Sequence, residues 1–517
     1  MIKGDGYMQK FERLDEKMKR VFAIKPHSLI FIKVAVTQQY NYVLRQLYRC
    51  AEDSHKTFAT VVMKKDKDIL EEITSINEEC ILVELDPLDE TFLKRLDFMR
   101  ERLYGSGKLL FFILYINQYD NLMYRYPDLF EFSTLNFDYS SPINVPFTLI
   151  FSNDSLSFDR KRGKENRFSM QIKDNNEQNY LYNIFLGIKK LGTMRMKVIE
   201  IDRLDAMISD LYKHEKLYEN KEIVDLLFDY LDLLCMKEDY ERVKANLNKM
   251  YSNFYELQNN TWTINDIFLF CLLANSASWE WKNNVNIRTC KILMMLFVYQ
   301  GTQEELTKAE CINLKRTQLL KGRNYLSDNL RAETCNDTII IQYLMKKDIK
   351  TCISDIDYMI QLDPQLDLRF LYYYNKAVLY LLNNDYRNAL QLCETYLETY
   401  RSDLNVVPGM TFYRMSLIRN WIRGMFYREL DESIHKNVLI LQKHRHVFVE
   451  NHYSIAEIHF CNAILYRELE EMEKSMHCAE KANNILRQNK SKRLERLKKL
   501  VQKFMEEQGR STCVTTN

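Results

Sequence analysis

Between Phe147 and Asp363 the chain contains no proline, while five of its seven prolines (26, 87, 127, 142 and 146) lie in the first 146 residues. Proline breaks helix interiors by removing a hydrogen-bond donor and clashing with the preceding turn. A stretch this long without one can be helix almost throughout, and the chain changes character near residue 150. Glycine is also scarce, 12 in 517 residues, against a usual share of about 7%. At about 100–200 residues per domain, this length suits two to four domains, or one domain followed by an array.

The first part alternates. Ser28–Val36, Thr57–Met63, Cys80–Leu85, Leu109–Ile116 and Pro146–Phe151 are apolar runs rich in β-branched or aromatic residues. Such runs predict strands, and the nearly continuous Ser28–Val36 has the pattern of one buried on both faces. Between them, Tyr40–Glu52, Asp66–Ile73 and Thr91–Leu103 have helical spacing, the last ended by Gly105 and Gly107. Strands alternating with helices imply a mostly parallel sheet covered by helices. Ser152–Arg167 is polar and charged and reads as a connecting loop, followed by a helix over roughly Gln178–Leu191.

From about residue 196 helical periodicity takes over and a pattern repeats. A helix with a small residue and an aromatic three later is followed by a turn and a second helix. Phe370–Tyr400 is the clearest unit, with Ala377 and Tyr380, the turn Asn384-Asp385-Tyr386, and Ala389. Glu333–Pro364 places Cys352 at the small position, and Ala456–Leu486 has Ala463, Tyr466, Ser475, Ala479 and Ala482. Val224–Met250 carries the turn Lys237–Val243, and Leu404–His446 is a degenerate unit with Gly424 and Tyr427. Residues 257–330 are helical without an assignable register. The last helix, Lys490–Glu507, keeps Leu494, Leu497, Leu500, Val501 and Phe504 on one face and charge on the other, as a capping helix requires.

These units resemble the tetratricopeptide repeat, a helix pair with small residues where the helices cross. Their spacing, 37 residues from Cys352 to Ala389, is irregular. The resemblance implies that first helices line a concave groove in which an Asn can hold a peptide backbone. Carried onto this sequence, it makes Tyr374, Asn375 and Val378 peptide-binding candidates, with Arg419, Asn420 and Arg423 in the next unit.

A second resemblance lies in the first part. The helix Phe92–Leu103, the strand Leu109–Ile116 and the segment Tyr126-Pro127-Asp128-Leu129-Phe130-Glu131-Phe132 resemble the end of the NTPase-like domain that precedes tetratricopeptide arrays in bacterial signal-transduction ATPases with numerous domains. Two departures make this domain degenerate. The helix reads Leu96-Asp97-Phe98-Met99-Arg100-Glu101, so the family's Asn and Asp positions hold other residues. The segment after Val36, Thr37-Gln38-Gln39-Tyr40-Asn41, has neither the glycines nor the lysine that cradle phosphates in a P-loop. Asp120, after the Leu109–Ile116 strand, reads as a turn residue or helix cap.

Other chemistry is sparse. Lys plus Arg is 73 and Asp plus Glu 71, a net charge of +2, which excludes a chain-wide drive onto nucleic acid or anionic membrane. The basic run Arg160-Lys161-Arg162-Gly163-Lys164 with Arg167 lacks interleaved aromatics and reads as a solvated loop rather than a nucleic-acid contact. The twelve cysteines form no CxxC pair, and the six histidines between 435 and 477 lack metal-ligand spacing, so neither a metal nor any other cofactor is expected. Ser433–Lys436 and Ser327–Asn329 match SxxK and SDN in the wrong order, and no recognisable catalytic motif stands beside them. Free thiols, a charged start and apolar runs of about eight residues, short of the ~18–20 that span a bilayer, suggest a cytoplasmic chain without a membrane segment.

The expectation is therefore an α/β domain over 1–155, a linker and helix over 156–195, and a tetratricopeptide-like helical-repeat solenoid over 196–517. The expected function is non-catalytic: a protein- or peptide-binding scaffold of regulatory type, with a bacterial signalling or defence role implied by the resemblance. A homo-oligomer stays open. The alternative is a nucleotide-sensing signalling protein that uses the α/β domain.

Overall fold

The computed structural model describes residues 18–22, 28–63, 69–85, 94, 96–140, 144–152, 184, 198–212, 221–236, 239–255, 262–274, 280–321, 328–361, 366–402, 410–443 and 452–514. The chain divides into two compact units, one of Met1–Asn144 with Arg423–Leu430, the other of Val145–Ile422 with Asp431–Asn517. The basic run at 160–167 and the helix expected over 178–191, Ile184 apart, lie outside the described residues.

The first unit is a parallel sheet. Its strands are β1 (Ser28–Val34), β2 (Phe58–Met63), β3 (Cys80–Leu85), β4 (Leu109–Tyr115) and β5 (Leu135–Asp138), in the order β2-β3-β4-β1-β5. Ser28 pairs with Leu109 and Ile32 with Ile113, so like faces align. Ile30, Ile32, Val34, Phe111 and Ile113 pack with Val43 and Leu47 of α1 (Thr37–Asp53) on one side. On the other side, Leu29, Phe31, Leu110, Phe112 and Leu114 pack with Leu122 and Leu129. Burial on both faces explains why β1 and β4 read as nearly unbroken apolar runs. Short helices α2 (Ile69–Ser75), α3 (Arg100–Tyr104), α4 (Ile116–Arg125) and α5 (Pro127–Glu131) complete the unit.

One expected strand is corrected. Pro146–Phe151 is extended but pairs with no strand, and it belongs to the second unit. The fifth strand is Leu135–Asp138, parallel to β1 with Ile32 opposite Phe137. An apolar run reports burial, not what covers it. In β5 only Leu135 and Phe137 are apolar, too few for a periodic signal.

The second unit is helical: α6 (Val198–Leu211), α7 (Lys221–Met236), α8 (Tyr240–Phe254), α9 (Ile264–Leu273), α10 (Glu280–Gln300), α11 (Gln303–Lys321), α12 (Asp328–Leu344), α13 (Ile349–Gln361), α14 (Leu366–Leu382), α15 (Tyr386–Ser402), α16 (Met410–Tyr427), α17 (Leu430–Lys443), α18 (Tyr453–Glu468), α19 (Met472–Gln488) and α20 (Glu495–Val514). The end of α16, from Arg423, and the turn after it belong to the first unit. Helices adjacent in sequence pack on one another from α10 to α15 and from α18 to α20. Ala377, Ala389, Cys352, Ala463, Ser475, Ala479 and Ala482 are all fully buried, which lets helices approach closely.

A common turn marks the later pairs. Lys346, Asn384, Arg428 and Glu470 have φ of 68°, 60°, 63° and 63°. In three of these turns the next amide reaches back to close the first helix: Lys347 to Gln342 (2.9 Å), Asp385 to Tyr380 (2.8 Å) and Glu471 to Tyr466 (3.0 Å). This is the left-handed helix stop that usually takes glycine. Here Lys, Asn and Glu fill it, which is how so glycine-poor a chain turns. Asp348 and Asp385 then cap the second helices by accepting from the amides of Thr351 and Asn388.

Candidate peptide-binding groove

An extended segment buried away from any sheet must still satisfy its backbone groups. Val145–Ser152 is buried at every residue, and side chains of the helical unit meet that requirement. Asn375 on α14 accepts from the Ile150 amide through Oδ1 (2.9 Å) and donates through Nδ2 to the Ile150 carbonyl (2.9 Å). Asn336 on α12 donates to the same carbonyl (3.3 Å), and its own Oδ1 accepts from Asn375 (2.8 Å). Tyr374 Oη donates to the Thr148 carbonyl (3.1 Å). Arg496 on α20 donates to the carbonyls of Val145 (2.7 Å) and Phe147.

Two carboxylates hold the ends of this run. Glu457 on α18 accepts from the Thr148 amide (2.8 Å) and from its hydroxyl. Asp337 on α12 accepts from the Ser152 amide (2.8 Å) and hydroxyl (2.7 Å). Amides 148, 150 and 152 share one edge of an extended chain, because strand geometry has a period of two. Each carboxyl is wholly buried, which pushes it above the ordinary carboxylate range. Arg414 and the Thr148 bonds pull Glu457 back, and Arg316 and the Ser152 bonds pull Asp337 back.

The charges around these carboxylates are balanced. Arg316, itself 1% exposed, donates to Asp337 and to Glu333 (both 3.3 Å), and Lys291 lies 3.6 Å from Glu333. Arg414 donates to Tyr453 Oη (2.9 Å) and stands over the ring of Tyr374 at 5.7 Å. The segment's aromatics are gripped too. Phe147 meets Trp421 of α16 edge to face at 5.6 Å, and the Arg493 guanidinium lies 5.9 Å from the Phe151 ring centre.

The six residues singled out in the sequence separate. Tyr374 and Asn375 hold the segment. Val378, three residues on, is wholly buried. Asn420 is bound within the array, donating to Asn437 (3.0 Å), which donates to Asn462 (2.9 Å). Arg419 donates to Asn420 (3.2 Å), and Arg423 pairs with Glu429 at 3.3 Å. Asn336, Asp337, Glu457 and Arg496 carried no signal beyond their places on helices α12, α18 and α20. A buried carboxylate and an exposed one look alike in a helical sequence.

In the first unit, the connections leaving β1 and β4 run to opposite sides of the sheet, the place where open α/β sheets form a ligand crevice. Here the chain enters α1 two residues after β1. Gln39 Oε1 accepts from the Ala35 amide (2.7 Å), and Gln118 Oε1 from the Tyr115 amide (2.9 Å). Asp120 lies inside α4 rather than at its cap and pairs with Lys33 at 2.7 Å. Tyr115 Oη lies 3.3 Å from the Thr37 hydroxyl.

Two of the described histidines have distinct roles or surroundings. His452 caps α18 through Nδ1, accepting from the Ser454 amide (3.2 Å), and burial holds His459 down to about 4. Among the described residues no three His, Cys, Asp or Glu side chains gather as a metal site, and no helix is long and apolar enough to cross a membrane.

No protein-family model and no curated protein matches the chain. Among solved structures, one similar chain is described as the Signal Transduction ATPase with Numerous Domains (STAND) protein with a tetratricopeptide repeat sensor from Pyrococcus horikoshii. It is 12% identical, with a TM-score of 0.30, over 95% of this chain and 85% of that one.

Proposed function

We propose that this chain is a non-catalytic regulatory protein whose helical array recognises an extended stretch of polypeptide. The observation that supports the reading is the two-way bond between Asn375 and Ile150, supported by Asn336. A side-chain amide that reads both backbone groups of one residue binds peptide whatever that residue's side chain is. The groups around it are spent on hydrogen bonds and ion pairs. The expected partner is a protein, and the order of the two parts fits the bacterial signalling or defence class that the sequence resemblance implies.

The test selects random displayed decapeptides on the full-length chain carrying Ile150→Pro, which removes the amide that Asn375 accepts and loosens the internal segment. Enriched sequences that are lost when Asn375→Ala is added are expected. Enrichment of nothing, with ATP or GTP raising the melting temperature, would contradict the reading and move the function to the α/β part.

A further inference from the structure

The segment held in the groove has an internal repeat. Phe147-Thr148 and Phe151-Ser152 are two aromatic–hydroxyl pairs, four residues apart. The groove treats both pairs alike. Each aromatic ring meets a large side chain of the array, Trp421 or Arg493. Each hydroxyl residue gives both its amide and its O–H to one buried carboxylate, Glu457 or Asp337. Between the pairs, Asn375 reads only backbone.

We propose that the groove is a site for partner polypeptides that present aromatic–hydroxyl pairs four residues apart in an extended conformation, and that such a partner competes with Phe147–Ser152 for it. This rests on the peptide-binding reading above and adds the ligand's chemistry. The physical ground is the buried carboxylate. Its desolvation is offset by the donors it receives, so a ligand without the hydroxyl leaves an acceptor short of a partner where water is excluded. The same logic makes sites built around a substrate hydroxyl reject analogues that lack it. The register is fixed because residues two apart on an extended chain present the same edge, so positions i, i+2 and i+4 meet Glu457, Asn375 and Asp337 together. The internal copy is tethered and competes at an effective concentration of about millimolar, so a partner needs either high affinity or several contacts.

The test uses the full-length chain carrying Ile150→Pro and two labelled peptides. One is residues 144–153; the other has Val and Ala in place of Thr148 and Ser152. Fluorescence anisotropy is expected to show the hydroxyl peptide binding about 10–100-fold more tightly. Equal binding would overturn the hydroxyl register while leaving the peptide-binding reading in place. Binding of neither peptide would overturn both. If Ile150→Pro fails to fold, the wild-type chain decides by hydrogen exchange. Millimolar hydroxyl peptide should speed exchange across residues 145–152 and the other peptide should not; equal effects of the two, or no effect of either, would overturn the proposal.

Discussion

Asn375 and Ile150 exchange two hydrogen bonds of 2.9 Å, the side-chain amide of one closing on the backbone amide and carbonyl of the other. Asn375 is 1% exposed, so truncation leaves buried polar groups without their partner. Asn375→Ala should cost about 2–4 kcal/mol in denaturant unfolding and should speed hydrogen exchange at Ile150. Asn420→Ala, which breaks the links to Asn437 and Arg419 but none to the segment, should leave the exchange of Ile150 unchanged.

Arg316 sits between Asp337 and Glu333 with almost no access to water. Removing one carboxylate strands a buried charge, so Asp337→Ala should destabilise by about 3–5 kcal/mol. The double variant Asp337→Ala with Arg316→Met should recover part of that loss. A double-mutant cycle of urea midpoints gives the coupling.

Burial, with Lys481 and His477 nearby, lowers the pKa of His459 to about 4, while the unfolded chain takes up this proton near its ordinary value of about 6.5. Between those values the unfolded state binds more protons, so stability falls as the pH is lowered through the window. The loss is about 3 kcal/mol for the whole window, and His459→Gln should flatten that slope. Glu457 and Asp337 act in the opposite sense. Their folded pKa values are raised, so the folded state binds more protons above the ordinary carboxylate pKa, and stability declines as pH rises through the raised values. Glu457→Gln should remove the Glu457 share of that decline and leave that of Asp337. Urea midpoints from pH 4 to 7 for the three proteins separate the contributions.

Glu470 and Lys346 hold left-handed conformations at φ of 63° and 68°. Such a conformation costs about 1–2 kcal/mol for a residue with a Cβ, partly offset by the unfolded-state entropy that glycine adds. Glu470→Gly and Lys346→Gly should each stabilise by about 0.5–1 kcal/mol, read as higher melting temperatures with unchanged helix content by circular dichroism.

The parts of this fold that were legible in the sequence have short-range causes. β1 and β4 announce themselves because both faces are buried, and the small residues Ala377 and Ala389 because helices cross there. β5 escapes notice because two apolar residues make no pattern. Pro146–Phe151 misleads because its apolar run is covered by helix side chains and not by neighbouring strands. Of the residues that hold Val145–Ser152, Tyr374 and Asn375 were legible, an Asn directly after three tyrosines on α14. Asp337 and Glu457 are acidic residues among many on helices, and only the fold reveals that they face inward onto Ser152 and Thr148 respectively.

The central claim is that the helical array binds extended polypeptide where Val145–Ser152 now lies. A peptide of residues 144–153 carrying a photoreactive phenylalanine at the position of Phe147, irradiated with the full-length Ile150→Pro chain and mapped by mass spectrometry, tests it most directly. The account predicts cross-links concentrated around Trp421 on α16 and lost on adding Asn375→Ala. Cross-links that fall outside the helical array, or that persist unchanged without Asn375, would contradict it.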